Sequence, residues 1–243
     1  MKVINSLDNS RVKYAYSLKM HKNRTLNKEF LIEGKKVLKM ALEAHLVKEI
    51  FSSIELDEIP ENFEYYRVNE GIINKLSSVK NPEGVVAICS FMDNKLPLKP
   101  YQKVIYLDHI NDPGNMGTMI RTALGLGYDA VFVSKGSCDI YNDKVVASSK
   151  GAIFKMPIFE KELEELKKDY QIIVTSLDDR SENVEDILNK KKSPFALVFG
   201  NEAHGVEESV LALSDLLVKI PMKDMDSLNV SIAAGIFMYL LNK

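Results

Sequence analysis

Residues 195–206 read F-A-L-V-F-G-N-E-A-H-G-V, and residues 216–232 read L-L-V-K-I-P-M-K-D-M-D-S-L-N-V-S-I. Each stretch begins with a short apolar run, which a glycine ends in the first and a proline ends in the second. Short apolar runs between such breakers predict buried strands. Glu202 follows the first strand, and Ser227 and Asn229 follow the second and open a long apolar helix. Because ligands of open α/β sheets bind beyond the carboxyl ends of the strands, these residues predict a single site.

The rest of the C-terminal half alternates between predicted strands and predicted helices. The strands are 104–107, 130–133 and 172–175, and the helices are 116–124, 142–150, 161–169, 184–188, 206–213 and 228–241. This alternation predicts a parallel sheet with helices on both faces.

The N-terminal part predicts a smaller α/β domain. Its strands are 30–32, 47–52, 65–68 and 85–90, and its helices are 9–19, 35–44 and 69–77. Two prolines and little periodicity make residues 93–102 the best linker in the chain. The predicted domains are therefore residues 1–92 and residues 103–243.

Charge and composition limit the classes of function. The 243 residues carry a net charge of −2, but residues 2–28 hold seven basic side chains and one acidic one, a local charge of 7 − 1 = +6. Such a segment favours an RNA-binding patch, although a solvated helix face would carry the same charges. Cys89 and Cys138 form no cluster with zinc-ligand spacing, so no metal is expected. No apolar run approaches about 20 residues, which predicts a cytoplasmic protein that spans no membrane.

A further polar cluster, residues 108–117, follows the predicted strand at 104–107. Asn115 and Arg121 lie near the start of the next helix, where free backbone N–H groups favour an anion. Each candidate also has an ordinary structural explanation. Asn115 and Ser227 could cap helices, Arg121 could pair with a surface acid, and Gly200 could serve a tight turn with positive φ.

Taken together, these motifs resemble a known family over residues 103–243. They read D-P-G-N-M-G-T-M-I-R-T-A at 112–123, L-V-F-G-N-E-A-H-G at 197–205, and I-P-M with S-L-N-V at 220–222 and 227–230. The chain resembles the SpoU (TrmH-like) RNA ribose 2′-O-methyltransferases of the SPOUT superfamily. The N-terminal part is similar to the substrate-binding domain often fused to this catalytic domain, on the sequence F-L-I-E-G-K-K at 30–36.

The resemblance implies a fold, a cofactor and a set of site residues. The fold would be a parallel α/β sheet with a deep C-terminal trefoil knot, and the enzyme would be a homodimer. S-adenosylmethionine would be the cofactor, held by Phe199, Gly200, Ile220, Met222, Leu228 and Asn229. The catalytic residues would be Arg121, Asn115, Glu202, Ser227 and Asn229. Arg121 would hold the target phosphate, Glu202 would orient Arg121, and Ser227 and Asn229 would position the ribose.

Two departures from the family pattern concern the cofactor loop and one RNA contact. Residues 223–226 are one residue shorter than in many relatives and lack their glycine. Ala147 stands where relatives commonly carry arginine, a role that Lys150 could take. The implied function is methylation of a ribose 2′-hydroxyl in 23S ribosomal RNA. The alternatives are a tRNA 2′-O-methyltransferase and a non-catalytic RNA-binding factor on the same fold.

Overall fold

The computed structural model describes residues 2–56, 63–225 and 227–242. The elements follow one another as β1 (Lys2–Ile4), α1 (Ser10–Ser17), α2 (His21–Asn27), β2 (Glu29–Glu33), α3 (Lys35–Glu43), β3 (Val47–Ser52), β4 (Glu64–Val68), α4 (Glu70–Leu76), β5 (Val85–Ser90), β6 (Lys103–Leu107), α5 (Pro113–Gly125), β7 (Ala130–Val133), α6 (Asp143–Ser149), a 3₁₀ turn (Ala152–Phe154), β8 (Ile158–Glu160), α7 (Leu163–Leu166), β9 (Gln171–Thr175), β10 (Glu182–Asn183), β11 (Phe195–Phe199), α8 (Glu208–Leu213), β12 (Leu216–Lys219) and α9 (Val230–Leu241).

The chain divides into two units. The first contains the residues up to Asp93 together with Asp139–Phe154, and the second contains Asn94–Cys138 and Lys155–Lys243. The first unit is built on a five-stranded sheet in the order β1-β4-β3-β5-β2. β1, β4 and β3 run parallel, and β5 pairs antiparallel with both β3 and β2. Helices α1 and α4 pack together on an apolar core that includes Val12, Phe51 and Ile72.

The segment 139–154 belongs to the first unit, whereas the sequence predicts it within the domain 103–243. An ion pair joins it to α2, where the guanidinium of the buried Arg24 lies 2.6 Å from Oδ2 of the half-buried Asp139. The Tyr141 ring stacks on Phe91 at a centroid distance of 3.8 Å and contacts Phe30 at 4.7 Å. Because these contacts join residues far apart in the sequence, no local sequence pattern predicts them.

The second unit is built on a seven-stranded sheet in the order β10-β12-β9-β11-β6-β7-β8, in which every pair is parallel. Its central strand β11 is buried at every position, as expected of a strand covered on both faces. The predicted parallel α/β sheet is confirmed. Because all strands run the same way, the residues that follow β6, β9, β11 and β12 meet at one edge.

Several predicted elements differ from the structure. The predicted helix 184–188 is wrong, because residues 182–183 form β10 beside β12 and turns follow. The Val184 N–H continues the pairing by donating to Lys219 O at 2.9 Å. Helix α5 begins at Pro113, three residues before the predicted start at 116. The sequence does not predict β1, α2 or β8.

Candidate active site at the carboxyl edge of the parallel sheet

Glu202 joins the loop after β11 to the start of α5. Its carboxylate accepts hydrogen bonds from the backbone N–H groups of Asn111 at 3.2 Å and Asp112 at 3.1 Å. It also accepts one from Asn115 Nδ2 at 3.2 Å. These three N–H donors hold the carboxylate in one orientation.

Asn115 extends this network to the last helix. Its Oδ1 accepts a hydrogen bond from Asn229 Nδ2 at 3.2 Å. The Asn229 Oδ1 in turn accepts hydrogen bonds from Ser231 N at 2.9 Å and Ile232 N at 3.3 Å, and so caps α9. Glu202, Asn115 and Asn229 come from three separate motifs, and the structure brings them together.

The two helix N-termini explain why these side chains face one another. Asp112 caps α5 by accepting a hydrogen bond from Asn115 N at 2.7 Å, with Pro113 in the first turn. Asn115 therefore lies within α5, and its side chain hydrogen-bonds Glu202 and Asn229 instead of capping the helix. The capping alternatives for Asn115 and Ser227 are wrong, because Asp112 and Asn229 are the residues that cap.

Arg121 lies on α5, six residues after Asn115, and its side chain is exposed. Within residues 2–56, 63–225 and 227–242, its guanidinium forms no hydrogen bond and no ion pair. The expectation that Glu202 orients Arg121 is wrong in this structure, since the Glu202 carboxylate binds the start of α5 instead. The expected pairing of Arg121 with a surface acid is also not formed.

A cleft of about 480 Å³ opens beside this network, between the ends of β9, β11 and β12 and the start of α9. Phe199, Gly200, Ile220, Met222 and Leu228, all predicted to bind the cofactor, line it together with Glu202 and Ser227. Asn229 does not line the cleft but begins the helix that does.

The cleft also includes residues that the sequence reading missed. Thr175 at the end of β9 and Ser176 to Asp178 directly after it line the cleft, and Ala233 and Phe237 line it from α9. Hydrogen bonds from the Arg180 guanidinium lower the pKa of Asp178 to about 2, so this carboxylate is ionised near neutral pH. The signal that could have found Thr175 to Asp178 is the one used for Glu202, a polar sequence at the carboxyl end of a strand.

Gly200 is required by close packing rather than by backbone conformation. A Cβ at this position would lie 2.5 Å from the backbone C and O atoms of Gly205 and from Val206 Cγ1. The expected positive φ occurs instead at Gly205, with φ of 68°, where an isolated bridge between Asn201 and Gly205 closes the turn. The loop thus folds back on Gly200 at the mouth of the cleft.

The two departures from the family pattern lie in different units. In the shortened loop, Asp224 adopts a left-handed φ of 61°, a conformation that Asp tolerates better than most residues. Asp226 of the same loop lies outside the described residues. Ala147 and Lys150 belong to the first unit, where Lys150 ends α6 with a φ of 49°.

The described residues offer neither a metal site nor a helix that could span a membrane. No group of three or more His, Cys, Asp or Glu side chains there is arranged to hold a metal ion. None of the helices there has the length and apolar character needed to cross a bilayer.

Comparison with known proteins decides the family. Residues 102–239 match the model of the SpoU rRNA Methylase family, and residues 9–87 match that of the MRM3-like substrate binding domain. The chain belongs to the SpoU rRNA methylase family. The predicted family and the predicted class of enzyme, an RNA methyltransferase, are therefore confirmed.

Similar proteins span nearly the whole chain. The 23S rRNA (guanosine(2553)-2′-O)-methyltransferase RlmP of Bacillus subtilis is 34% identical over 252 residues, which cover 99% of both chains. The AdoMet-bound rRNA methyltransferase from Sinorhizobium meliloti is 28% identical, with a TM-score of 0.88 over 99% of this chain and 97% of that one. The mitochondrial rRNA methyltransferase 3 of Xenopus tropicalis is 25% identical over 91% of this chain and 71% of its own.

Proposed function

We propose that this protein transfers a methyl group from S-adenosylmethionine to a ribose 2′-hydroxyl of large-subunit ribosomal RNA. One observation carries the proposal: three motifs distant in sequence place Glu202, Asn115 and Asn229 in one hydrogen-bonded network beside a cleft of about 480 Å³. The full-length similarity to RlmP, which acts on 23S rRNA, supports the choice of RNA and of the ribose oxygen.

The cleft fits S-adenosylmethionine in size and in chemistry. Its volume of about 480 Å³ lies within the usual range for sites that hold ligands of this size. Phe199, Ile220 and Phe237 supply apolar surface, and the carboxylate of Asp178 and the hydroxyl of Ser227 supply polar groups. When bound, S-adenosylmethionine supplies a methyl group on a positively charged sulfur, which an oxygen nucleophile can take directly.

The network holds the loop and both helix starts in one arrangement. Glu202 and Asn115 fix the start of α5, and Asn229 fixes the start of α9. Ser227 lines the cleft next to this helix start, where its hydroxyl can hydrogen-bond the target ribose. Positioning of this kind supplies a large part of the rate when the donor is already reactive.

Arg121 binds RNA phosphate in this proposal. It is exposed and forms no hydrogen bond or ion pair with the described residues, so its donors are available to an anion. A guanidinium keeps its proton at any pH of interest, because its pKa exceeds about 12, and it cannot serve as the base. Its positive charge instead favours ionisation of a neighbouring 2′-hydroxyl.

The exposed face of α9 supports a homodimer. Ile232 is 57% exposed, Ile236 37% and Tyr239 59%, and their spacing of four and three residues places them on one side of the helix. Leu228 and Met225, 40% and 69% exposed, add apolar surface near its start. Contiguous apolar surface of this kind marks protein interfaces. Light scattering on Ile232→Glu tests this: we expect a monomer, against a dimer for the unchanged protein.

The deep trefoil knot and a cytoplasmic location complete the proposal. The family resemblance implies the knot, and the location, which the sequence predicts from its lack of a long apolar run, agrees with a ribosomal RNA substrate.

The test combines cofactor binding with methyl transfer. S-adenosylmethionine is titrated calorimetrically into the unchanged protein and into Gly200→Trp, whose side chain would collide with the Gly205 backbone and displace the loop at the cleft mouth; we expect binding only to the unchanged protein. Labelled methyl is then followed into separated 23S, 16S and transfer RNA. Transfer to 23S RNA supports the proposal, and transfer to tRNA would assign the tRNA alternative. Cofactor binding without transfer to any RNA would contradict the enzymatic role.

A further inference from the structure

Most basic side chains of the N-terminal segment are neutralised within the first unit. Of the seven in residues 2–28, four form ion pairs, which are Lys2 with Glu64, Arg11 with Glu49, Lys13 with Asp8 and Arg24 with Asp139. The local charge of +6 that the sequence gives this segment is therefore not a continuous basic surface. The three basic side chains of the segment that form no ion pair with a described residue are Lys19, Lys22 and Lys28.

Lys19 of this segment forms no ion pair with a described residue, and it lies beside one exposed aromatic ring together with Lys75 from outside the segment. The Lys19 ammonium lies 5.6 Å and the Lys75 ammonium 5.4 Å from the centre of the Tyr16 ring. Tyr16 lies near the end of α1 and is 47% exposed. Lys75 comes from the last turn of α4, so the packing of α1 on α4 assembles the group.

The hydrogen-bond partners of the two lysines are backbone carbonyls. Lys19 Nζ donates to Ser77 O at 2.6 Å, and Lys75 Nζ donates to Leu7 O at 3.3 Å. Two acids lie near the group. The Asp8 carboxylate is near Lys75 but is hydrogen-bonded by Lys13, and the Glu33 carboxylate accepts hydrogen bonds from Ser77 Oγ and Ser78 N. The two half-buried lysines therefore hold their ammonium groups beside the exposed Tyr16 ring, and neither ammonium is paired with a carboxylate among the described residues.

We propose that Tyr16, Lys19 and Lys75 bind an unstacked nucleotide of the RNA substrate. The base would stack on the Tyr16 ring, and the two ammonium groups would bond the phosphates on either side of it. Lysine side chains are flexible, so they can exchange a carbonyl for a phosphate while a base takes the ring face. Aromatic rings next to cations bind nucleic-acid bases in this way without reading a particular base.

This site rests on the proposed function, and it narrows the substrate. It requires an RNA in which a base is splayed out, as in a loop or a bulge, because a base inside a regular duplex cannot reach a side-chain ring. Met20, which is 63% exposed and follows Lys19, adds apolar surface to the same region.

The test measures RNA affinity at several salt concentrations by fluorescence anisotropy. One probe is a labelled single-stranded oligonucleotide that carries a 23S rRNA loop sequence of mixed base composition. The other is a labelled blunt-ended RNA duplex. We expect Tyr16→Ala to weaken binding of the loop probe about tenfold, Tyr16→Phe to retain it, and neither to change binding of the duplex. The double variant Lys19→Ala/Lys75→Ala should reduce the slope of log K against log salt by about 1.4, or 0.7 for each phosphate contact.

A matched control removes the same charge from paired positions. Lys2→Ala/Lys13→Ala also deletes two exposed ammonium groups, but both are bonded to carboxylates. We expect its salt slope to stay within about 0.5 of the unchanged protein. Equal slopes for the two double variants, or loop-probe binding by Tyr16→Ala within twofold of the unchanged protein, would overturn the inference.

Two further readouts separate this inference from the proposed function. If S-adenosylmethionine binds and methyl is transferred, Tyr16→Ala should raise the KM for RNA and leave cofactor affinity as it was. Methyl transfer by the unchanged protein together with an unaltered KM in Tyr16→Ala would refute the nucleotide site alone. Absence of cofactor binding in the unchanged protein would refute the enzymatic proposal, and the anisotropy result would still decide the nucleotide site.

Discussion

Replacing Glu202 by Gln removes one charge from the centre of the network and keeps the shape of the side chain. The two carboxylate oxygens accept three N–H donors, at distances of 3.1 to 3.2 Å. An amide has one acceptor oxygen, so its NH₂ group would face at least one backbone N–H group as a second donor. The start of α5 and the Asn115 side chain would then lose the position that the carboxylate gives them.

The size of the effect follows from the hydrogen bonds that change. A bond to a charged group contributes about 1.5–3 kcal/mol when buried, and the exposure of this loop to water reduces that. A net loss of about 2 kcal/mol in transition-state stabilisation corresponds to about a 30-fold fall in kcat/KM, at 1.36 kcal/mol for each factor of ten. Because Glu202 is exposed, we expect the free energy of unfolding to change by less than about 1 kcal/mol.

The assay is methyl transfer to 23S rRNA under conditions that give kcat/KM, with urea unfolding alongside. Glu207→Gln is the matched control, since Glu207 is an exposed glutamate whose side chain makes no capping bond to α8. We expect the control to retain full activity. A Glu202→Gln enzyme with kcat/KM within twofold of the unchanged protein would refute the role given to the network.

Three other predictions concern single groups. Asn229→Asp keeps the oxygen that caps α9 but loses the donor to Asn115, so we expect an unchanged melting temperature and reduced methyl transfer. Asn229→Ala loses the cap as well and should also lower the free energy of unfolding by about 1 kcal/mol. Equal stability of the two variants in calorimetry together with equal methyl-transfer activity would contradict this. Arg24→Ala removes the buried guanidinium that pairs with the half-buried Asp139 and should lower the free energy of unfolding in urea by about 3 kcal/mol. Lys2→Ala removes one partner of an exposed pair and should leave unfolding nearly unchanged; similar losses would show that burial does not govern these ion pairs. Gly200→Ala should weaken S-adenosylmethionine binding at least tenfold by calorimetry, because its Cβ would lie 2.5 Å from the Gly205 backbone. Gly125→Ala is the control, since no atom lies within 4 Å of its added Cβ, and it should bind the cofactor normally. Unchanged binding by Gly200→Ala would argue against the packing account.

The strands could be predicted from sequence because each is an apolar run bounded by breakers. β3, β5, β7 and β11 have the predicted bounds, since burial on both faces leaves continuous apolar sequence. β1, β8 and β10 contain three, three and two residues, too few to give a pattern. Their positions are set by the neighbouring strands with which they pair.

Helix α2 could not be predicted from the sequence for a different reason. Its sequence is H-K-N-R-T-L-N, and its one buried residue is Arg24 rather than an apolar side chain. Burial of that arginine depends on Asp139, 115 positions later in the chain. No local pattern indicates such a pair, so neither the helix nor the grouping of residues 139–154 with the first unit could be predicted.

In the candidate site, the sequence predicts which residues lie at the same edge of the sheet but not which groups they contact there. The sequence correctly places Glu202, Asn115 and Asn229 together, because the carboxyl ends of parallel strands meet at one edge. It does not predict that Glu202 binds backbone N–H groups instead of Arg121, since that depends on how the loop folds. Thr175 to Asp178 were missed because β9 pairs between β11 and β12, and strand order is not encoded locally.

The most direct test of the central claim is the position of the new methyl group. 23S rRNA is incubated with the protein and labelled S-adenosylmethionine, and then hydrolysed completely in alkali. Alkaline cleavage needs a free 2′-oxygen, so a ribose methyl protects its own phosphodiester and the label must appear in a dinucleotide. We predict a labelled dinucleotide whose 5′ residue carries the methyl on its ribose. Label released only as mononucleotides would place the methyl on a base and contradict the account.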